Sequence, residues 1–77
     1  MEEIIFETHY IKHENIIKNG ILYDYELENG WLLRREDWND NMHCYLECYN
    51  IQNNEYIADR FVAIYEKGKI IKFEQRF

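Results

Sequence analysis

The chain has 77 residues, no proline and a formal net charge of −6, and 47% of its residues are hydrophobic. This length is enough for one domain (residues 1–77) with a small core, and the hydrophobic content excludes a disordered protein. The acidic balance argues against direct binding to nucleic acid or anionic lipid. Because no basic, apolar signal peptide opens the chain and no apolar run approaches the roughly 18–20 residues of a membrane span, we expect a cytoplasmic protein.

Three glycines divide the chain, and each is the second residue of a two-residue turn: Asn19-Gly20, Asn29-Gly30 and Lys67-Gly68. Asn-Gly favours a tight hairpin because both residues of a type I′ turn need a positive φ. Asn53-Asn54 is a weaker fourth candidate. These turns separate six extended segments, three before residue 37 and three after residue 42. The polar residues 37–42 between them read as a longer connection or a single helical turn.

The turns also fix strand registers. The first hairpin places His13 opposite Glu26, and the second places Leu27 opposite Leu32 and Asp24 opposite Arg35. Between these turns, Ile21–Glu28 alternates. Its apolar side chains, Ile21, Tyr23, Tyr25 and Leu27, point to one face, and Asp24, Glu26 and Glu28 point to the other.

The second half of the chain follows the same logic. The turn at Lys67-Gly68 places Val62 opposite Phe73 and Ile64 opposite Ile71, whereas the turn at Asn53-Asn54 places Tyr45 opposite Val62. Residues 54–67 also fit a helix that Gly68 would end, although their β-branched and aromatic content favours a strand.

We therefore predict a mainly β protein of six short antiparallel strands in two three-stranded meanders. The meanders would form a small barrel or a sandwich, and an α+β fold with a helix at about 54–67 is the alternative. The first and sixth strands would leave free edges, through which a homodimer could form.

Cysteine and histidine spacing argues against a metal site. Cys44 and Cys48 lie four positions apart, which is about 13 Å along a strand, too far for a disulfide or a shared zinc ion. We expect two buried, reduced thiols, no metal and no cofactor. Serine is absent, Thr8 is the single aliphatic hydroxyl, and no phosphate-binding loop occurs, so we do not expect an enzyme.

Negative charge is concentrated in the first half of the chain. Residues 1–42 carry ten carboxylates and four cations, whereas residues 43–77 carry five of each. Asymmetry of this kind suggests an interaction surface, and tryptophan is a frequent anchor in such surfaces. The candidate partner-binding residues are six carboxylates and two tryptophans: Asp24, Glu26, Glu28, Trp31, Glu36, Asp37, Trp38 and Asp40. The alternative is that these acids only keep the protein soluble.

These features predict a small acidic protein-binding module whose partner is a protein with a basic surface. A nucleic-acid-processing enzyme is such a partner, since carboxylates can occupy the sites where its Lys and Arg meet phosphates. The composition is typical of phage or mobile-element accessory genes, so an anti-CRISPR-like inhibitor that mimics DNA is the concrete hypothesis. The alternatives are an immunity or antitoxin-type partner of a basic toxin, and a β-barrel ligand binder or enzyme that uses the tyrosine-rich face.

Overall fold

The computed structural model describes residues 6–77 and contains seven β-strands. Every strand pair in this part of the chain is antiparallel. Among residues 6–77, no helix has the length and apolar character that crossing a bilayer requires. The strands are β1 (Phe6–Lys18), β2 (Ile21–Leu27), β3 (Trp31–Asn39), β4 (Met42–Asn50), β5 (Glu55–Ile57), β6 (Phe61–Glu66) and β7 (Lys69–Arg76), and a 3₁₀ turn occupies Glu28–Gly30.

Six of these strands close into a barrel. Their order is β3-β2-β1-β7-β6-β4, and the pairing of β3 with β4 completes the ring. Strand β5 lies outside the ring and pairs with the end of β4. The predicted mainly β fold of two meanders is confirmed in its barrel form.

The α+β alternative is wrong, because residues 54–67 form β5 and β6. Both strands pair with β4, since Ile57 lies opposite Cys48 and Phe61 lies opposite Tyr45. Between them Asp59 has a φ of +62°, and its N–H donates to the Tyr45 carbonyl at 2.9 Å. This interruption, which no glycine or proline marks, makes seven strands of the predicted six.

The Asn19-Gly20 turn forms the predicted hairpin, with φ values of +51° and +78°. Its register is also confirmed, because His13 lies opposite Glu26.

The Asn29-Gly30 hairpin has a different register from the predicted one. Its connection contains three residues, Glu28–Gly30, so that Leu32 lies opposite Glu26 instead of Leu27. The extra residue arises because Glu28 joins the turn, which also removes the predicted pairing of Asp24 with Arg35.

Two further registers are shifted by one residue. A bulge between Ile64 and Tyr65 places Ala63, and not Val62, opposite Phe73. Ile64 consequently lies opposite Lys72 and not Ile71. The predicted pairing of Tyr45 with Val62 is likewise wrong, because Tyr45 lies opposite Phe61. The four-residue turn at residues 51–54 shifts the register by two residues, so that Asn50 lies opposite Glu55, and the interruption at Asp59 restores one of them.

The predicted long connection at residues 37–42 is wrong. Strand β3 continues to Asn39, and Asp40-Asn41 forms a two-residue turn with φ values of +48° and +64°. Asp and Asn tolerate the left-handed region better than most residues, so this pair makes a type I′ turn without glycine.

The barrel core contains residues from strands β2, β3, β4, β6 and β7. Phe61, Phe73 and Leu33 have no solvent exposure, and the Trp31 ring packs on Phe61 at a centroid distance of 4.9 Å. The core cluster comprises Leu27, Trp31, Leu33, Tyr45, Cys48, Phe61, Ala63 and Phe73.

Barrel closure changes where free edges occur. Strand β7 pairs with β6 and with residues 6–10 of β1, so this last strand is not a free edge. Residues 11–18 of β1 pair with β2, whose own pairing with β3 is limited to Tyr25 and Glu26. The β1–β2 hairpin therefore exposes strand edges near its turn, where Ile17 is 70% exposed. Homodimerisation through an edge stays a prediction.

Candidate interaction surface

An aromatic stack runs from the core to solvent at the β3–β4 hairpin. The pairing of these strands places Trp38 opposite His43, and the two rings are nearly parallel, with centroids 4.3 Å apart. Beneath His43 lies the buried Tyr45 ring at 5.7 Å. Trp38 ends the stack with 61% of its surface exposed.

Hydrogen bonds hold His43 in the centre of this stack. The ring is 5% exposed; its Nε2 lies 3.2 Å from Glu36 Oε2, and its Nδ1 contacts the Tyr65 hydroxyl. With a neutral ring, Nε2–H donates to the carboxylate and Nδ1 accepts from the hydroxyl. Desolvation, and then the Glu36 charge, raise the pKa of Tyr65, so its hydroxyl keeps the proton that it donates.

Three carboxylates lie close to Trp38 in the sequence of the hairpin. Glu36 and Trp38 are alternate residues of β3 and share a face, with Cα atoms about 6.6–6.8 Å apart. Asp37 lies on the opposite face, and Asp40 is exposed in the turn. Among residues 6–77, no lysine or arginine forms an ion pair with any of these carboxylates. We call Glu36, Asp37, Trp38 and Asp40 the hairpin surface.

The other four predicted binding residues lie elsewhere. Trp31 is a core residue with 4% exposure, which corrects its expected place at a surface. Glu26 is 8% exposed because both β1 and β3 flank it. Its carboxylate pairs with Lys18 at 3.6 Å. Asp24 is partly buried, and Glu28 is exposed in the 3₁₀ turn at the far end of β3. The eight residues therefore do not share one face.

A polar groove of about 710 Å³ opens where β2 and β3 separate. Asn15 and Arg35 line it, and both have left-handed backbones inside strands, with φ values of +52° and +65°. Tyr45 forms part of the wall, and burial followed by the Asp24 charge raises its pKa. Arg35 Nε lies 2.6 Å from Glu47 Oε2, so this cation is already paired.

A smaller groove of about 370 Å³ next to the polar one is lined mainly by apolar and aromatic side chains. Tyr23, Tyr49 and Tyr56 contribute to it, and the last two rings stack with centroids 4.5 Å apart. This groove contains part of the tyrosine-rich face that the sequence suggested for a ligand.

Both cysteines are free and buried. The Cys44 thiol donates to Asp59 Oδ1 at 2.8 Å, and the Cys48 thiol donates to the Tyr45 carbonyl at 3.3 Å. Ligand atoms of Asp37, Cys44 and Asp59 lie within 4.8 Å of one another, a spacing that a metal ion can bridge. Burial raises the pKa of the Cys44 thiol to about 12, which disfavours the thiolate that a metal needs. The expected absence of metal stays a prediction.

Comparison of the chain with known proteins gives no matching family model, no similar curated protein and no similar solved structure. The hairpin surface therefore has to be interpreted from its own geometry.

Sequence reasoning missed His43 and Tyr65 as parts of this surface. Reading Asp40-Asn41 as a type I′ turn would have placed His43 opposite Trp38, because that register follows from the turn position. Tyr65 comes from a distant strand, and no local pattern in the sequence indicates its contact with His43.

Proposed function

We propose that this chain is a non-enzymatic protein-binding module, and that its hairpin surface docks on a basic surface of a partner protein. The observation that carries the proposal is the exposed Trp38 ring, held against His43 in a hairpin whose carboxylates have no lysine or arginine partner among residues 6–77. Tryptophan is a common hot-spot residue, and unpaired surface charge steers association with an oppositely charged partner.

The rigidity of the surface supports this proposal. Binding costs free energy when mobile side chains must be ordered, and a side chain that is already fixed avoids much of that cost. Trp38 stacks on a buried ring, and Glu36 accepts a hydrogen bond from the same ring. Both side chains therefore offer their contacts in a prearranged form.

In its finer form, we propose that the partner is a nucleic-acid-processing enzyme and that the chain inhibits it. The carboxylates of the hairpin surface would occupy positions that phosphates otherwise take in a basic groove. A phage or mobile-element anti-defence protein of the anti-CRISPR kind has this activity. An immunity or antitoxin-type protein that neutralises a basic toxin would use the same surface.

The test is partner capture from the native host with matched charge variants, followed by binding measurements on the purified partner. Glu36→Lys combined with Asp40→Lys should abolish capture, and Trp38→Ala should raise the dissociation rate. Association with the unchanged chain should slow as salt rises, because exposed charges are screened beyond about 8–10 Å at 0.1–0.15 M salt. Glu26 is unsuitable for reversal because it is buried.

The control is Glu55→Lys combined with Glu66→Lys, which alters the net charge equally at two exposed positions outside the hairpin surface. This variant should retain the partner. The proposal would be contradicted if the partner were still captured by the Glu36→Lys and Asp40→Lys variant but not by the Glu55→Lys and Glu66→Lys variant. The acidic residues would then serve solubility alone.

The tyrosine-lined groove favours a second candidate, a small-ligand binder. Its volume of about 370 Å³ lies within the range of small-molecule sites, and its apolar wall carries several hydroxyl groups. A flat aromatic ligand with hydrogen-bonding groups would fit this chemistry.

A further inference from the structure

We infer that the hairpin surface recognises an arginine side chain of its partner, with the guanidinium plane on the open face of Trp38 and the negative charge of Glu36 attracting it. This inference rests on the proposed function and deepens it, because it names the chemical group that the surface selects.

One face of the Trp38 ring is covered and the other is open. His43 covers one face at 4.3 Å with an angle of 19° between the ring planes. The side chain is nevertheless 61% exposed, so the other face is open to solvent. A cation placed over an indole face is attracted by the ring quadrupole, and arginine makes this contact more often than lysine does.

One oxygen of the Glu36 carboxylate is bonded within the chain and the other is free among the described residues. Its Oε2 accepts the hydrogen bond from His43, whereas Oε1 has no hydrogen-bond partner within residues 6–77. Glu36 lies on the same strand face as Trp38, and the Cα atoms of these two residues are about 6.6–6.8 Å apart along β3. A guanidinium group is planar and always charged, so it can stack on the open ring face. The Glu36 carboxylate, which bonds His43 on the covered side, attracts it by charge.

The arginines Arg34, Arg35 and Arg76 pair with carboxylates outside the hairpin surface. Arg34 and Arg35 both contact Glu47, at 3.5 Å and 2.6 Å, and Arg76 contacts Glu74 at 3.4 Å. The hairpin carboxylates thus present uncompensated negative charge beside an aromatic face. Lysine would gain the charge attraction, but its compact, strongly hydrated ammonium cannot stack as a plane.

The experiment compares two acetylated peptides of equal length and charge, one alternating glycine with arginine and the other alternating glycine with lysine. Binding is followed by indole fluorescence and by the indole N–H resonances. Trp31 is buried in the core and serves as an internal reference, so changes confined to Trp38 report the surface. We expect the arginine peptide to bind about fivefold more tightly, the size expected for an exposed cation–π contact.

Matched variants separate stacking from charge. Trp38→Leu should lower the affinity of the arginine peptide to that of the lysine peptide and leave the latter unchanged. Glu36→Gln should weaken binding of the arginine peptide. Glu66→Gln, which removes the same charge at an exposed position outside the hairpin surface, should not. Thermal unfolding of each variant verifies that the barrel remains folded.

Equal affinity for the two peptides, or an equal loss for both in Trp38→Leu, would overturn the arginine inference and leave charge-driven docking intact. A neutral ring compound such as adenosine that binds Trp38 more tightly than the arginine peptide would also overturn it. If the chain loses its partner with Glu55→Lys and Glu66→Lys instead of the hairpin reversal, the proposed function itself fails.

Discussion

At the residue scale, the buried thiols make stability depend on alkaline pH. Burial raises the pKa of Cys44 and Cys48 from 9.0 to about 12. Between these values the unfolded chain releases protons that the folded chain retains, so the contribution of the thiols to the free energy of unfolding should fall as pH rises from about 9 to 12 and be constant below about 8. The slope is at most about 1.4 kcal/mol per pH unit for each thiol. Urea unfolding at about pH 8 and pH 10.5 measures it.

Cys48→Ala is the control for this pH dependence. It removes one raised pKa, so its stability should fall less steeply between the two pH values, whatever its stability at neutral pH. Tyr23 and Tyr25, whose pKa values burial also raises, remain in the variant and retain their part of the slope. An unchanged slope in Cys48→Ala would contradict the assignment to the thiol.

The two tryptophans show how much of the candidate site could be predicted residue by residue. Trp31 and Trp38 both lie on β3, but Arg35 between them has a left-handed backbone with a φ of +65°, which interrupts strand alternation. Their exposures of 4% and 61% could therefore not be predicted by counting positions along the strand. The burial of Glu26 could not be predicted in this way either, because it depends on both neighbouring strands.

At the scale of single elements, Gly30 and Gly68 provide a matched test of the turns. Both have a left-handed backbone, with φ values of +88° and +74°. A Cβ on Gly30 would lie 2.8 Å from Gln52 Cγ and 3.2 Å from Asn50 Oδ1, whereas nothing lies within 4 Å of one on Gly68. Gly68→Ala should therefore cost about 1–2 kcal/mol for backbone strain alone, and Gly30→Ala should cost at least about 1 kcal/mol more.

The additional cost arises because Asn50 cannot easily move. Its side chain donates to the Asn29 carbonyl at 3.0 Å and accepts the N–H groups of Gln52 and Asn53. Denaturant unfolding of both alanine variants measures the difference. Equal losses at the two glycines would show that the Gln52 side chain gives way and that the Asn50 network has no role.

Turn chemistry explains which elements could be predicted. Asn19-Gly20 specifies its hairpin locally, and its register agrees with the structure at His13 and Glu26. The registers around Gly30 and Ile64 are set by an extra turn residue and by a bulge. Both irregularities depend on how the strands pack in the closed barrel. That packing involves residues distant in the sequence, so local sequence patterns do not predict it.

At the scale of the whole molecule, the hairpins predicted from the sequence are compatible with a barrel and with a sandwich. Closure depends on β1 meeting β7, which joins residues more than sixty positions apart, and hairpin reasoning covers only neighbouring strands. The seam contains a buried pair, His9 on β1 and Gln75 on β7. A hydrogen bond between these side chains favours the pairing of β1 with β7, because a buried polar group without a partner costs free energy.

This seam provides a test of closure. His9 Nε2–H donates to Gln75 Oε1 at 3.0 Å, while His9 Nδ1 has no hydrogen-bond partner among the described residues. Gln75→Leu would remove the acceptor that His9 Nε2–H has in this buried position and leave the Glu7 carboxylate 3.9 Å away, and we expect it to lower the free energy of unfolding by about 1–3 kcal/mol. Adding His9→Phe should recover most of that loss, because an apolar ring beside Phe61, now 5.4 Å from the imidazole, needs no partner.

The double-mutant cycle needs one further control, Lys69→Leu, at an exposed position at the start of β7, outside the residues that pair with β1. Its effect should be small and should add to that of His9→Phe, since the two sites share no hydrogen bond. If the effects of Gln75→Leu and His9→Phe were also additive, the two side chains would not be coupled. Closure would then depend on the apolar core and the backbone ladder alone, and the buried polar pair would not select the partner strand.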